Sequence, residues 1–586
     1  MSHPKADKIF EVSWEICNKV GGIYTVVASK IRPTQEFYSN YYLIGPYFQE
    51  KSHGEFEELP PEGRLRKAFD TLKAEGIQCR FGQWLVAGKP KTILIDFHEF
   101  MSHSDEIKAR LWESDKIDSL NAGNDFTEPL IWAYAVGRFL EEYYEPDEKI
   151  VAQFHEWLAG AGLLYLKSKN IPIGTVFTTH ATMLGRTLSS AGINIYSQLD
   201  TLDSDAQAYS HGIHNKHQVE KACAKKAGCF TTVSEITATE AEAFHKRKPD
   251  VLLLNGLDSN KFPTMEECSL KHNLYRTKLR EFIMSYFFPY QTFDIDQTLI
   301  YFICGRNEFH VKGIDIMIES LGRLNEQMKQ EENPKTVVAF FFIPGNIKGI
   351  KREVVENKTY FMDVKDHLQD NEELIHQNIL KKYLTQGETP LLPEDIENEI
   401  YKTIHKLKKE GVPPLSTHDL HDEENDIIIR SFRSAGLNNK EDDKVKVIFY
   451  PIFLTGADGL LNTDYYETML GGHLGIFPSY YEPWGYTPLE CASLAVPAIT
   501  SDLAGFGQYI GKHFQDKQNK GIFVINRQEG SDPVTELTGI MNTYATLPRH
   551  DRMENKINAK KLSSLADWKV LIENYIKAHN RALDRL

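Results

Sequence analysis

Cysteine is scarce in this chain. Seven are scattered through 586 residues, and no two form a C-x-x-C pair. Most sit in apolar runs, as small core residues do. An odd, dispersed set suits a reducing compartment and argues against a disulfide framework. Long apolar runs are missing as well, so no membrane span is expected. The first residues, MSHPKADK, carry no secretory apolar core. A cytoplasmic location without a membrane partner is therefore expected. Excess positive charge is absent too: 67 Lys and Arg stand against 82 Asp and Glu, for a net charge of −15. That balance disfavours nucleic acid as a partner. The sequence shows no internal repeat and no low-complexity tract. His155-Glu-Trp-Leu-Ala is not the zinc pattern H-E-x-x-H, because position 159 is Ala. No D-x-D motif stands in a loop suited to holding Mg²⁺ on a pyrophosphate. Neither a metal nor another cofactor is expected.

What is present is a globular composition, 41% hydrophobic, in a chain too long for one core. Residues 1–260 read as a first α/β unit. Strand-like runs at 41–45, 92–96, 150–154, 174–178 and 229–233 alternate with helical periodicity, the pattern of a parallel sheet. Asn255-Gly256 is a turn signal near its end. A second unit, 290–545, opens with the buried-strand run TLIYFI at 298–303. A helix with Ile314, Met317, Ile318, Leu321 and Leu324 on one face follows, then a strand at 336–343. Between 346 and 440 the chain is charged and mostly helical, and strands are expected to resume only at Val445. A structureless loop of that size is improbable, so an inserted helical element is expected. Residues 546–586 read as terminal helices.

The most informative segment is Phe477-Pro-Ser-Tyr-Tyr-Glu-Pro-Trp-Gly-Tyr-Thr-Pro-Leu-Glu490. It leaves a strand, turns through Pro478, Pro483 and Gly485, and enters a helix near Thr487. Pro488 is expected at the first helical position. A strand, a Gly/Pro turn and a helix start form the ligand side of an α/β sheet, and the helix N-terminus favours a phosphate. Alone, the E-x7-E spacing of Glu482 and Glu490 reads first as an ordinary loop with surface glutamates. Its aromatic and proline context argues against that.

This run resembles the signature of glycogen synthases of the animal and fungal type. Asn18-Lys-Val-Gly-Gly-Ile-Tyr24, His155-Glu-Trp-Leu-Ala-Gly160, Phe177-Thr-Thr-His-Ala-Thr-Met-Leu-Gly-Arg186, Gly305-Arg306 and Lys312-Gly313 agree, in the family's order. The resemblance runs from about residue 10 to the last residue. It implies a GT-B fold, two Rossmann-like domains facing across a cleft, with the last helices returning to the first. It also implies retaining transfer of glucose from UDP-glucose to the 4-hydroxyl end of an α-1,4-glucan, an uncharged partner. The inserted helices then associate subunits into a homotetramer.

The resemblance assigns residues as follows. Arg306 and Lys312 neutralise the departing diphosphate, and Glu482 orients the sugar. His180 and Arg186 line the glucose and diphosphate side. Lys19, Gly21 and Gly22 form the loop over the donor. Tyr465 stacks on the base, and Glu490 accepts from the ribose. Tyr486 and Thr487 bind phosphate through N–H and hydroxyl groups, beside Trp484 and Gly485, and His473 is a further cleft candidate. His155 and Glu156 shape the acceptor side without chemistry. His272, Arg276, Arg552 and Lys556 fall at glucose 6-phosphate positions. Read as residues alone, 549–561 is equally an ordinary basic helix. The stretch holds fewer arginines than the family's cluster, and the chain carries no regulatory tails, so tail phosphorylation is not expected to control it.

Two other readings compete. One is another retaining GT-B transferase, either ADP-glucose-dependent or of the sucrose or trehalose-phosphate synthase type. These share E-x7-E but not the Tyr-Tyr-Glu-Pro-Trp-Gly-Tyr run. The other is a non-catalytic glucan-binding scaffold, which would be expected to lose Arg306, Lys312 or Glu482. The sequence leaves open the donor base and any priming partner.

Overall fold

The structure, a computed structural model, describes residues 3–385, 390–513 and 520–586. Its first sheet has nine strands: β1 (Lys8–Val12), β2 (Tyr41–Pro46), β3 (Phe56–Glu58), β4 (Gln78–Trp84), β5 (Lys91–Asp96), β6 (Ile150–His155), β7 (Gly174–Thr179), β8 (Cys229–Thr232) and β9 (Val251–Leu252). Their order is β3-β4-β5-β2-β1-β6-β7-β8-β9. All pairs are parallel except β3–β4 and β4–β5, which form an antiparallel edge. β1 lies at the centre, and the chain leaves it for β2 on one side and returns as β6 on the other.

The second sheet is wholly parallel. It contains β10 (Thr298–Cys304), β11 (Thr336–Phe342), β14 (Val445–Phe449), β15 (Leu474–Ile476), β16 (Ala498–Ser501) and β17 (Ile522–Ile525), in the order β14-β11-β10-β15-β16-β17. Every residue of β10 and β11 is buried. A strand covered by helices on both faces needs such an unbroken apolar run. The switch in strand order lies between β10 and β15, where an open α/β sheet places its ligand.

Strands do not wait until Val445. β12 (Ile347–Ile350) and β13 (His418–Leu420) pair antiparallel inside 346–440. Both are too short and too polar to read locally, and their pairing partners stand about seventy residues apart. Three helices, Arg352–Asp370, Glu372–Thr385 and Glu394–Leu407, fill most of the space between them. Residues 386–389 of the expected insertion lie outside the described set. The key helix begins at Tyr486, not Thr487, so Pro488 is its third residue. Its missing N–H still falls in the first turn, where no intrahelical partner exists.

The last helix, Trp568–Leu583, packs back on the first sheet. Trp568 Nε1 donates to Ser29 Oγ at 2.8 Å. His579 lies 3.0 Å from both the Tyr38 hydroxyl and Gln153 Oε1. Its Leu571, Ile572, Tyr575 and Ile576 are buried with Val27, Ile31 and Leu43.

Candidate active site in the cleft between the sheets

Two backbone requirements bring the cleft's second-sheet wall together. Gly313 has φ +70°, and a Cβ there would meet the Pro478 carbonyl oxygen at 2.1 Å. Only glycine permits that approach. Tyr480 N–H then bonds the Val311 carbonyl at 2.8 Å, and Arg527 Nη1 donates to the Pro478 carbonyl. Gly485, at φ +107°, turns the chain into the helix Tyr486–Ser493. The loops after β10 and β15 are thereby locked side by side. Lys312 Nζ comes to 2.5 Å from Glu482 Oε2.

Arg306, Lys312 and Glu482 line a cavity of about 210 Å³ that also touches Thr487 and Pro488. The same three residues line a second, of about 490 Å³, with Gly21, Gly22, His180, Arg186, Trp484, Gly485 and Tyr486. Arg306 is 70% exposed and touches Glu308 at 3.1 Å, so its charge is held loosely. Arg186 projects from the helix Met183–Ser190 into the open cleft, where it stays exposed to solvent between acidic walls. Desolvation by those walls opposes its charge, but Glu156 and other acidic neighbours outweigh it and raise its pKa.

A chain of buried polar groups that no motif announced supports His180. Lys30 and the Tyr41 hydroxyl bond Glu11 Oε2. Glu11 Oε1 bonds His155 Nε2 at 2.7 Å, and His155 Nδ1 bonds His180 Nε2 at 2.8 Å. Burial pushes Glu11 up, yet Lys30 and His155 hold it well below the usual carboxylate range. Burial and neighbouring positive groups drive His180 well below the usual histidine range. With His155 giving Nε2–H to Glu11, the hydrogen-bond order assigns His180 Nε2–H to His155. His180 Nδ1 is left as an acceptor. The faint sequence signal was Glu11, a charge inside an apolar strand. His155, read above as scaffold, orients a cleft residue.

Glu156 lines the same cleft. It adopts φ +63° and accepts the N–H groups of His180 and Ala181 at 2.7 and 3.1 Å. Burial pushes it up to about 7, against the pull of Arg186.

Several other residues stand differently from their assigned roles. Lys19 is exposed at the rim, 5.5 Å from the Tyr24 ring, and does not line the cavity. The Gly21 and Tyr24 N–H groups are taken by Glu15 Oε2 at 2.9 and 2.8 Å. The loop's anion-binding donors are thus partly occupied by its own carboxylate. The Tyr486 hydroxyl is 3.4 Å from the Gly256 carbonyl, across the cleft. Trp484 is buried against Phe506 and Tyr509, with Nε1 unpartnered. Glu490 is buried and accepts from Tyr465 and Tyr466, each at 2.9 Å. Neither Glu490 nor Tyr465 lines the two cavities.

His473 is not a cleft residue. Its Nδ1 accepts the Ile300 N–H at 3.0 Å, and it lines a separate cavity of about 350 Å³. The residue after a strand-flanking glycine pair could face either end of the sheet, and only the packing decides. This separate cavity gathers His272, Arg276, Arg552 and Lys556, with Arg280 and Arg549, which sequence reasoning missed. Arg276 donates to the Gly471 and Gly472 carbonyls. Burial and repulsion push Lys556 down to about 7 and His272 to about 3. Burial, with Arg280 and Arg552 nearby, brings Arg276 down to about 10. Such a cluster favours an anion.

Two parallel sheets meeting at a cleft, each offering its switch point, define a GT-B glycosyltransferase. The catalytic domain of starch synthase IV from Arabidopsis thaliana, solved with ADP and acarbose, shares this fold with a TM-score of 0.54 and 13% identity, each chain covered in full. The family model described as glycogen synthase matches residues 11–586. The chain is 38% identical to the liver glycogen [starch] synthase of Mus musculus, over 98% of this chain and 83% of that one. It is 39% identical to the glycogen [starch] synthase of Dictyostelium discoideum, over 98% and 66%, and 36% to that of Neurospora crassa, over 98% and 84%. The chain belongs to the glycogen synthase family. It is a glucosyltransferase with a nucleotide-sugar donor and a glucan acceptor.

Proposed function

We propose that the enzyme transfers glucose from UDP-glucose to the non-reducing 4-hydroxyl of an α-1,4-glucan with retention, without a metal at the diphosphate. The observation that carries this reading is the Lys312–Glu482 contact, 2.5 Å, beside Arg306 at the switch point of the second sheet. Arg306 and Lys312 take the diphosphate. Charge-assisted hydrogen bonds of this kind contribute roughly 1.5–3 kcal/mol each, more where charge develops in the transition state. The N-terminus of the helix Tyr486–Ser493 adds backbone N–H groups, with the Thr487 hydroxyl beside them. Glu482 orients the sugar and stabilises positive charge at its C1. The bond from C1 to the diphosphate oxygen breaks, and a bond from C1 to the acceptor oxygen forms on the same face. The acceptor's proton passes to a donor phosphate oxygen, and the nucleoside diphosphate leaves. His180 Nδ1 accepts a glucose hydroxyl, and Arg186 stands over the diphosphate.

The cationic cavity around Lys556 is proposed to take glucose 6-phosphate. The exposed Leu380, Tyr383, Leu384, Tyr401 and Ile404 on the helices of 346–440 support subunit association into a homotetramer. Seven unpaired cysteines support a cytoplasmic setting.

The test is labelled glucose transfer onto glycogen, with UDP-glucose against ADP-glucose as donor. Preference for UDP-glucose is expected. Equal or better use of ADP-glucose overturns the donor assignment. A scaffold would release no UDP on glycogen addition.

A further inference from the structure

Behind the helix Met183–Ser190, three polar side chains meet out of reach of water. His217 and Glu220 lie three residues apart on the helix His214–Lys226 and share a face. His245 ends the helix Glu235–His245 and reaches the same point. All three residues are 0% exposed. One ligand atom from each lies within 4.8 Å of the other two. Glu220 Oε2 and His245 Nε2 are 3.8 Å apart, and the two ring centres 5.7 Å.

The ring nitrogens make the point decisive. Both nitrogens of His217 and both of His245 have no hydrogen-bond partner. A buried polar atom left so costs the desolvation it is never repaid. Four in one place call for something that binds imidazole. The surrounding groups are few. Asp205 Oδ1 stands 3.3 Å from His217 Nε2, out of line for a hydrogen bond, and Asp205 is paired with Lys221 at 2.6 Å. Glu220 accepts the Met183 N–H at 3.0 and 3.2 Å. Phe230 packs its ring on His245.

We propose that His217, Glu220 and His245 bind a zinc ion that joins their helices, with one bound water completing the tetrahedron. Two imidazoles and one carboxylate are a zinc donor set, whereas an all-oxygen set would suit calcium or magnesium. Zinc bonds of about 2.0–2.1 Å in a tetrahedron put neighbouring ligands roughly 3.4 Å apart. The 3.8 Å gap between Glu220 and His245 closes to that by small side-chain shifts. A small turn of the His217 ring would bring its Nε2–H into line with Asp205, the kind of carboxylate partner that metal-bound histidines commonly have. The ion would tie the helices His214–Lys226 and Glu235–His245 together. Through the Glu220–Met183 bond it would also steady the helix that carries Arg186.

The test is metal analysis of the full chain. Protein stripped by dialysis against a chelator is incubated with equimolar zinc, desalted and measured by mass spectrometry of the metal. About one zinc per chain is expected, with Tm raised by about 5 °C or more. His217→Gln combined with His245→Gln should abolish retention. His550→Ala should not, although His550, Asp551 and Glu554 form a second, solvent-exposed group of ligand atoms. Because the double variant loses buried groups and its fold is at risk, cobalt(II) on the unmodified protein gives a second reading. Intense visible bands of a four-coordinate site are expected. No zinc retention by the unmodified chain overturns the proposal, as does equal retention by a folded double variant. Loss of the ion in His550→Ala overturns it too.

Discussion

Lys556 donates to His272 Nδ1 at 2.9 Å, while His272 Nε2 donates to the Leu494 carbonyl at 2.9 Å. Both ring nitrogens of His272 are therefore spoken for in its neutral form. Arg276, Arg552 and Arg549 crowd the same pair, which is why burial and repulsion bring Lys556 down to about 7. A lysine so placed carries a full charge only when an anion supports it or the pH is low.

A pH dependence follows, and its sign is fixed. Lys556 titrates near 7 in the folded chain against 10.5 in the open chain. Below 7 both states are protonated, and the folded state bears the cost of the buried charge. Between about 7 and 10.5 only the unfolded chain holds the proton, so stability rises with pH across that window. Affinity for glucose 6-phosphate should do the opposite and fall between pH 6.5 and 8.5 as Lys556 loses its charge. Lys556→Arg should flatten that fall. Calorimetric titrations across this range check it, and a flat profile in the unmodified enzyme would refute it.

Regulation should be shallow. Arg276 and Arg552, with Lys556 when it is protonated and the neutral His272 beside them, suffice for one sugar phosphate, and each cation contributes roughly 1–3 kcal/mol where partly desolvated. Substantial activity without effector and modest activation by glucose 6-phosphate are expected. Rates at low donor concentration, in unmodified enzyme and in Arg552→Ala with Lys556→Ala, provide the check. Strong activation that survives the double substitution would move the effector elsewhere. A basal rate near zero would also contradict the prediction.

At the reaction centre, Glu482→Ala, Arg306→Ala and Lys312→Ala should each lower turnover by on the order of a hundredfold or more. Thermal stability should hardly change. Lys312 and Glu482 are 20% and 24% exposed, and Arg306 is 70% exposed, so none carries the core. Steady-state rates and melting curves read both effects. Near-normal turnover in Arg306→Ala would remove it from the diphosphate site.

Chelation separates the two metal questions. If Arg306 and Lys312 meet the diphosphate as proposed, turnover in EDTA should match turnover in Mg²⁺. Loss restored by Mg²⁺ would show an ion at the reaction centre. Loss restored by zinc alone would point to His217, Glu220 and His245.

Subunit contacts should reside in 346–440. Deleting the helices Glu372–Thr385 and Glu394–Leu407 should shift the particle from the proposed tetramer to smaller species in light scattering. An unchanged mass would give the insertion another role.

The sequence alone determined what depends on neighbours along the chain. Unbroken apolar runs marked β10 and β11, and the turn from Phe477 to Glu490 with its glycine and prolines marked the cleft wall. Glu482, Lys312 and Arg306 follow such strands, but it was the resemblance to the glycogen synthases, carried by their neighbouring motifs, that named them. Tertiary structure decided whatever depends on residues far apart. β12 and β13 exist only as each other's partners. His473 faces the cationic cavity rather than the cleft because helix packing, not spacing, orients it. Glu11, His155 and His180 lie on β1, at the end of β6 and just past β7, and become one chain of hydrogen bonds only when the parallel register sets those strand ends side by side. Spacing in sequence carries no trace of that, since sheet pairing joins residues that no local rule connects.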